Sequence, residues 1–157
     1  MRVLSIYLET TIFNFPFVDD SPQYRADTLR LFEEIKAGKF CPYTSEYVVR
    51  ELNDTRNEEK RLKMTALILD YGITVLPSSR EAEHLADLYV TAGVIPEKHS
   101  TDAYHIAAAT VAGLDCIVSL NFKHIVKHKT ILETEYINVR EGFKRIFIHT
   151  PAEVIDD

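Results

Sequence analysis

A buried strand that ends in a carboxylate constrains this sequence more than any other feature. Residues 3–8 are almost entirely apolar, which predicts a strand covered on both faces. Glu9 follows directly and is itself followed by Thr10 and Thr11. Open parallel sheets bind ligands outside the carboxyl ends of their strands, so this position predicts an acid with a role in binding or chemistry.

Strand-like and helix-like segments alternate along the rest of the chain. Apolar or β-branched runs predict further strands, and a 3.6-residue periodicity between them predicts helices. The predicted strands are residues 40–43, 73–76, 116–120 and 145–149. The predicted helices are residues 23–37, 45–54, 57–70, 79–92, 101–112 and 130–137, with Ser or Thr caps at 44 or 45, 78 or 79, and 100 or 101. This alternation predicts an α/β fold of βαβ units around a mostly parallel sheet, without fixing the strand order.

Length and composition predict one globular domain over residues 1–157. Apolar residues make up 46% of the chain and charged residues 27%, which excludes a disordered chain. No apolar run reaches the roughly 20 residues of a membrane span, and no secretory signal pattern is visible, so we expect a cytoplasmic protein. Cys41 and Cys116 lack metal-type spacing and are expected to be buried free thiols.

Charge is distributed unevenly along the chain. The formal net charge of −6 argues against a protein that binds nucleic acid over its whole surface. Residues 121–149 nevertheless carry six Lys and Arg residues against three Glu, together with three His. Such a stretch is typical of a solvated helix face, but beside an acidic site it would also suit a phosphate backbone.

A second acid interrupts an apolar helix stripe. Val48, Glu51, Leu52 and Thr55 share one face of the predicted helix 45–54, because they follow i, i+3, i+4, i+7 spacing. Burying an unpaired carboxylate is strongly unfavourable, so Glu51 needs a cation, a donor or a metal ion. An ion pair with a distant Lys or Arg, or a place at the edge of the stripe, would explain it without a functional role.

Further polar residues stand at element ends. Asp102 opens an alanine-rich helix, where an acid commonly offsets the helix dipole. Asn121 follows a predicted strand, where asparagine commonly forms a turn. Thr11 and Ser119 are hydroxyl residues near two strand ends, and their usual partners are local backbone groups. His105, within the alanine-rich helix, is expected to be packed or hydrogen-bonded.

Taken together, four of these polar residues predict more than each does alone. They are Glu9, Glu51, Asp102 and Asn121. Two stand at strand ends and two on adjoining helices, so all four can meet at one edge of a parallel sheet. Oxygen-only ligands of this kind select Mg²⁺ or Mn²⁺, which retain waters and bind phosphate jointly with the protein.

The order of these residues resembles that of the PIN-domain ribonucleases, over about residues 3–148. The matching segments are Tyr7-Leu8-Glu9-Thr10-Thr11, Val48-Val49-Arg50-Glu51-Leu52, Thr101-Asp102-Ala103-Tyr104-His105 and Ser119-Leu120-Asn121-Phe122. The nearest branch is the VapC-like toxin half of type II toxin–antitoxin pairs. The resemblance implies a three-layer helix–sheet–helix fold with a small, mostly parallel sheet of four to five strands. It also implies Mg²⁺- or Mn²⁺-dependent cleavage of single-stranded RNA by metal-activated water, a homodimer, and an antitoxin protein as partner.

The resemblance also assigns roles to individual residues. Metal binding and catalysis fall to Glu9, Glu51, Asp102 and Asn121, supported by Thr11 and Ser119, and RNA-backbone contact to Lys123, Lys127 and Lys129. The chain departs from the family twice, since Glu9 stands where aspartate is normal and Asn121 where a fourth acid is usual. Both departures predict weaker metal binding.

Two other functions stay open at this point. Glu9 and Asn121 would suit a catalytically degenerate PIN-like module that binds RNA or a protein partner. A phosphotransfer or receiver-like domain on a similar scaffold would need an aspartyl nucleophile with a partnering lysine, or a glycine-rich phosphate loop. No convincing set of this kind stands in a chain with five glycines.

Overall fold

The computed structural model describes residues 2–156, which form five strands, eight α-helices and two 3₁₀ turns. The strands are β1 (Leu4–Leu8), β2 (Phe40–Ser45), β3 (Thr74–Leu76), β4 (Cys116–Val118) and β5 (Phe147–His149). The helices are α1 (Thr10–Asn14), α2 (Pro22–Lys36), α3 (Glu46–Asn53), α4 (Glu58–Asp70), α5 (Arg80–Thr91), α6 (Ser100–Val111), α7 (His128–Arg140) and α8 (Pro151–Val154). The 3₁₀ turns are Phe15–Phe17 and Glu97–His99. None of the described helices has both the length and the apolar character needed to cross a bilayer.

The five strands form one parallel sheet in the order β3-β2-β1-β4-β5. The chain moves outward from β1 to β2 and β3, then crosses back to β4 on the other side of β1. This reversal creates a switch point between β1 and β4, where the loops after the two strands diverge and leave a crevice. The predicted α/β fold with a mostly parallel sheet is confirmed, and every pairing is parallel.

β1 is the central strand, and both of its faces are covered. Successive side chains of a strand point to opposite faces, yet Ile6, Tyr7 and Leu8 are each 0% exposed. This double coverage is the reason that the segment reads as a continuous apolar run. On one side α6 packs against β4, and its small side chains, Ala103 and Ala107 among them, are fully buried and allow a close approach.

Most predicted elements are present with shifted ends. β2 runs two residues beyond its predicted end to Ser45, β4 and β5 are shorter than predicted, and α7 is longer at both ends. β4 ends at Val118, although the backbone N–H of Ser119 still donates to the carbonyl of His149 at 2.9 Å. The chain then turns, and the Ser119 hydroxyl accepts the backbone N–H of Asn121 at 2.9 Å. The periodic pattern of apolar residues does not predict a hydrogen bond made by a single side chain.

Two details predicted from the sequence are wrong. Neither Ser100 nor Thr101 caps α6, because the 3₁₀ turn Glu97–His99 runs directly into the helix and places His99 at the N-cap without a side-chain bond. Cys41 is exposed rather than buried. It pairs with Ser5 near the amino ends of β1 and β2, where the cover over the sheet is thin.

Cys116 is buried as predicted, and burial raises the pKa of its thiol to about 12. It is therefore an unreactive, protonated core side chain at neutral pH.

Two short helices were not predicted from the sequence. α1 begins immediately after Glu9, whose carboxylate acts as the N-cap and accepts the backbone N–H of Thr11. Glutamate is an uncommon N-cap residue, so the pattern carried no helix-start signal. α8 starts at Pro151 and is held by a capping box between Thr150 and Glu153.

Asp115 fastens the amino ends of β1 and β4 to each other. One of its oxygens accepts hydrogen bonds from Arg2 at 2.8 Å and Lys144 at 3.0 Å. The other accepts the backbone N–H of Ser5 at 2.8 Å and its hydroxyl at 3.0 Å. Burial alone would raise the pKa of Asp115, but these four donors outweigh it and hold the pKa well below its usual range.

Replacing Asp115 by asparagine should destabilise the fold at neutral pH by about 1–2 kcal/mol, because an amide group would face Arg2 and Lys144. A carboxylate with a lowered pKa stabilises the folded state above its unfolded pKa of about 3.9, and that stabilisation is lost as the pH falls toward the folded pKa. In urea unfolding, the free energy of unfolding of Asp115→Asn should therefore be lower than that of the wild type at pH 7, and this difference should narrow below about pH 4.

The exposed Asp87 on α5 provides the matched control, since Asp87→Asn should leave the free energy of unfolding unchanged. Equal stability of the wild type and Asp115→Asn at pH 7 would contradict the role assigned to Asp115.

Candidate active site

The carboxyl edge of the sheet, at the switch point, collects polar side chains from five elements. Glu9 follows β1, Ser45 ends β2, and Ser119 follows β4. Parallel pairing of β1 with both neighbours brings these three strand ends to the same level. α3 and α6 bring Glu51 and Asp102 to this edge, where both act electrostatically on the same buried His105. The ends of three neighbouring strands therefore form the candidate site, and two helices add further acids to it.

Glu9 is fixed by hydroxyl and backbone donors on one of its two oxygens. Its Oε1 accepts the hydroxyls of Thr11 at 2.6 Å and Ser119 at 2.7 Å, and the backbone N–H of Thr11 at 3.2 Å. The Thr11 hydroxyl also accepts the backbone N–H of Leu120 at 2.8 Å, which joins α1 to the end of β4. Burial raises the pKa of Glu9, and the nearby His105 and these donors offset only part of that effect.

Glu51 projects from α3 toward the same edge and is held by a histidine. Its Oε1 accepts a bond from Nε2 of His105 at 2.6 Å and the hydroxyl of Thr10 at 2.7 Å. Its side chain is 37% exposed, whereas that of His105 is fully buried. Burial alone would raise the pKa of Glu51, but His105 and Thr10 outweigh it, so the pKa lies below its usual value.

His105 links Glu51 to the interior of the sheet. Its Nδ1 lies 2.7 Å from the hydroxyl of Tyr7, which in turn lies 2.7 Å from the hydroxyl of Ser45. Burial would lower the pKa of His105, but Glu51, with Glu9 and Asp102 farther away, outweighs it and raises the pKa. In both the neutral and the charged ring, Nε2 can donate to Glu51, while Nδ1 either accepts from the Tyr7 hydroxyl or donates to it.

Asp102 and Asn121 both contact His124, on opposite sides of it. Oδ2 of Asp102 lies 3.0 Å from Nδ1 of His124, and their side chains are 15% and 12% exposed. Oδ1 of Asn121 accepts the backbone N–H of His124 at 3.0 Å, so Asn121 does form the local turn that its position predicts. The amide oxygen retains a second lone pair.

Each of the three acids is held through one oxygen only. Among the bonds made by the described residues, Oε1 of Glu9, Oε1 of Glu51 and Oδ2 of Asp102 receive all the donors. Glu9 is 3% exposed, yet its Oε2 is not among the buried polar atoms that lack a partner, so that oxygen is not sealed from solvent. One oxygen of each carboxylate is therefore oriented, and the other is available to a cation.

The three acids nevertheless do not close around a single point. Within the described part of the chain, the one group of three or more His, Cys, Asp or Glu side chains whose ligand atoms all lie within 4.8 Å is His99, Asp102 and His124. Glu9 and Glu51 lie outside that group. The acids share a neighbourhood, since all three act electrostatically on His105, but their oxygens do not all lie within 4.8 Å of one another.

The sequence predicted the acids and missed most of the groups that hold them. Ser119 and Thr11 were predicted in supporting roles and both bind Glu9, while His105 was predicted as hydrogen-bonded without a named partner. The sequence did not predict that Thr10, Tyr7, Ser45 and His124 contact the acids or one another. Tyr7 alternates with Ile6 and Leu8 inside β1, and a tyrosine within a doubly covered strand needs a buried partner for its hydroxyl, which was an available signal.

The His105–Glu51 pair should give the folded state a characteristic pH dependence. A raised histidine pKa stabilises the fold below the unfolded value of about 6.5, and this contribution is lost as the pH rises through the folded pKa. The lowered pKa of Glu51 stabilises the fold above about pH 4.3. Compared with the wild type, His105→Gln should lose about 2 kcal/mol between these limits, and less at higher pH.

Chemical unfolding of both proteins across pH 5 to 9, spanning the window set by the usual pKa values, would measure this difference. His84→Gln on the exposed face of α5 should show no such trend. A wild-type advantage that does not change with pH would mean that His105 acts as a neutral hydrogen-bonding group.

The chain was compared with known protein families, sequences and structures, and only its structure shows a likeness. No family profile and no curated protein sequence matches the chain. Its structure is similar to the crystal structure of VapC20 from Mycobacterium tuberculosis, a toxin described as cleaving the sarcin-ricin loop. The two chains are 18% identical and superpose with a TM-score of 0.52, over 71% of this chain and 86% of that one. The predicted resemblance to VapC-like toxins is thereby confirmed at the level of the fold, and the chain has a PIN-like α/β fold.

Proposed function

We propose that the protein is a metal-dependent endoribonuclease that cleaves single-stranded RNA and acts as the toxin of a toxin–antitoxin pair. One observation carries this proposal. Glu9, Glu51 and Asp102 lie around the carboxyl edge of a PIN-like sheet, each held by one oxygen while the other stays available. Carboxylates oriented in this way are a chemical match for a divalent cation and a phosphodiester.

Mg²⁺ or Mn²⁺ fits this donor set better than a softer ion would. The available groups are carboxylate oxygens and the amide oxygen of Asn121, all of them hard donors. Because the acids do not approach within 4.8 Å of one another as a set, part of the coordination would run through water, which Mg²⁺ retains readily. When bound, such an ion supplies an activated water and offsets the charge that develops on the phosphate.

The surrounding side chains give the acids their orientation. Thr11 and Ser119 fix Glu9 at the end of β1, and His105 with Thr10 fixes Glu51. The bonds restrict the rotamers of both side chains before any substrate arrives, so little reorganisation is needed on binding. Glu9 is one methylene longer than the aspartate normal in this family, and its three-donor anchor compensates by fixing the longer side chain.

The segment after Asn121 is the best position for contact with an RNA backbone. Lys123 and Lys127 are exposed in this segment, whereas Lys129 donates a hydrogen bond to the carbonyl of Gly93 at 3.0 Å. We therefore assign phosphate contact mainly to Lys123 and Lys127. An antitoxin protein, a homodimer and a cytoplasmic setting belong to the same proposal and rest on the likeness to VapC toxins.

A second function is favoured by specific observations. Glu9 has a structural role as the N-cap of α1, and the three acids do not surround a single point. Both observations also fit a module that binds RNA or a protein without cleaving it. Its distinguishing mark would be RNA binding that is indifferent to Mg²⁺ and Mn²⁺.

Cleavage of a labelled pool of single-stranded RNA in Mn²⁺ separates the two functions. Asp102→Asn preserves the shape of the side chain and removes its charge, so it should lower the rate by more than about 100-fold, exceeding the usual effect of an outer-shell change. Asp70→Asn, at an exposed position ending α4, should cleave like the wild type.

Undiminished cleavage by Asp102→Asn would contradict the nuclease proposal. RNA binding by a wild-type protein that does not cleave in either metal would favour the binding module.

The assignment of Lys123 and Lys127 is testable separately. A double variant, Lys123→Glu with Lys127→Glu, should raise KM for RNA while changing kcat little, because phosphate contacts are made equally in the bound and reacting states. The slope of log affinity against log salt should fall by roughly one to two, given about 0.7 per contact for single strands.

Lys36→Glu, at the exposed end of α2, is the control for a general charge effect. If it weakens binding as much as the double variant does, the segment has no special role.

A further inference from the structure

A cluster of two histidines and one aspartate lies beside the acidic site and shares Asp102 with it, but its two histidines have no part in the proposed cleavage. We propose that His99, Asp102 and His124 bind a divalent transition-metal ion, with Zn²⁺ as the representative, at a position separate from the predicted Mg²⁺ or Mn²⁺. The function proposed above assigns no role to the two histidines as ligands. The proposal rests on their geometry and donor chemistry.

The spacing of the donors fits a single small ion. One donor atom from each residue lies within 4.8 Å of the other two. Nδ1 of His124 and Oδ2 of Asp102 are 3.0 Å apart, and the two imidazole rings face each other with centroids 4.1 Å apart and planes tilted by 33°. Ligands about 2.0–2.2 Å from a tetrahedral zinc ion lie roughly 3.3–3.6 Å apart, so small movements of these side chains would bring all three within reach of one ion.

The three residues are held in place by the backbone around them. The backbone N–H of His99 donates to the carbonyl of Pro96 at 2.9 Å, which fixes the turn before α6. His124 is fixed on both sides, because its N–H donates to Asn121 and its carbonyl accepts the hydroxyl of Thr130 at 2.8 Å. Asp102 stands in the first turn of α6. The backbone positions of the three ligands are therefore set before an ion binds.

Two features argue that the cluster is more than a hydrogen-bonded pair. The ring of His99 makes no hydrogen bond with any described residue, although it lies against His124. All three side chains are partly buried, so they are shielded but reachable.

The donor types determine which ion is favoured. Imidazole nitrogen suits Zn²⁺, Co²⁺ and Ni²⁺, whereas Mg²⁺ prefers oxygen. Two histidines and one carboxylate leave a fourth position open in a tetrahedral zinc site, as in sites that bind water or an anionic ligand. The cluster should therefore discriminate sharply between Zn²⁺ and Mg²⁺, in contrast to Glu9 and Glu51, which offer oxygen alone.

Sharing of Asp102 couples this site to the acidic one. An ion bound by Asp102 withdraws negative charge from a carboxylate that also belongs to the acidic site, so it should weaken the attraction for Mg²⁺ nearby. Zn²⁺ would then inhibit Mg²⁺-dependent cleavage. This consequence rests on the proposed nuclease function, whereas metal binding by the cluster does not.

Metal binding is tested first, without RNA. Full-length protein is titrated with Co²⁺, followed by its visible ligand-field absorption, and with Zn²⁺ by calorimetry. We expect one ion per chain and a spectrum of low coordination number with nitrogen ligands. His99→Ala should reduce affinity by at least about 100-fold, because loss of a ligand exceeds the 10–100-fold cost of an outer-shell change. His84→Ala, an exposed histidine on α5, should bind like the wild type.

A second pair of variants guards against trivial explanations. His124→Ala should also lose the Co²⁺ spectrum, and thermal unfolding checks that each variant is folded. His99→Ala removes a side chain without a hydrogen-bond partner among the described residues, so it keeps the test decisive even if His124→Ala is unstable. Glu9→Gln should retain the Co²⁺ spectrum, because Glu9 lies outside the cluster.

The outcomes distinguish this proposal from the nuclease proposal. Equal Co²⁺ affinity in the wild type and His99→Ala, or no Co²⁺ and Zn²⁺ binding by the wild type at micromolar metal, would overturn the metal site. If RNA is cleaved, Zn²⁺ should inhibit the wild type and spare His99→Ala. If RNA is not cleaved, the spectrum alone still decides the metal site while the nuclease proposal fails.

Discussion

The buried contact between His105 and Glu51 is the interaction on which the carboxyl edge depends. It lies in a continuous chain of hydrogen bonds from Ser45 through Tyr7 and His105 to Glu51 and Thr10. That chain crosses β2, β1, α6, α3 and the start of α1, so one buried imidazole fixes the mutual positions of five elements. An unpaired charge could not persist in such an interior, and the partly exposed carboxylate of Glu51 is the partner that raises the pKa of His105 against the effect of its burial.

The switch point of the sheet explains why chemistry collects at this edge rather than elsewhere. The chain leaves β1 and β4 in opposite directions there, and open α/β sheets bind ligands at such a point. The hydroxyls of Thr11 and Ser119 donate hydrogen bonds that offset the unfavourable burial of Glu9, and the Thr11 hydroxyl also accepts the backbone N–H of Leu120. The acidic edge is thus stabilised by neutral donors and one histidine.

The fold could be predicted well because strands and helices produce periodic patterns of apolar residues. The candidate site could be predicted less completely because the contacts between its side chains leave no such pattern. The β1 run, the stripe around Glu51 and the alanine-rich α6 each follow from the burial they produce. Strand order did not follow, since no local pattern encodes the crossing from β3 to β4. The partners of the acids come from distant positions, and only the pairing of strands brings Ser45 and Tyr7 to His105. α1 escaped prediction because its cap is a glutamate that appeared to be a ligand alone.

α6 also has a consequence for how the protein tolerates change. His99, Asp102 and His105 recur at every third residue from just before the helix into its second turn, on a rod packed against the sheet through alanines. Because these three side chains share one rigid body, a larger residue at Ala107 would tilt the rod and displace them together. If the proposed cleavage and metal binding hold, drift in the interior would change both activities before folding is lost, and the small residues of α6 would then be as constrained as the ligands.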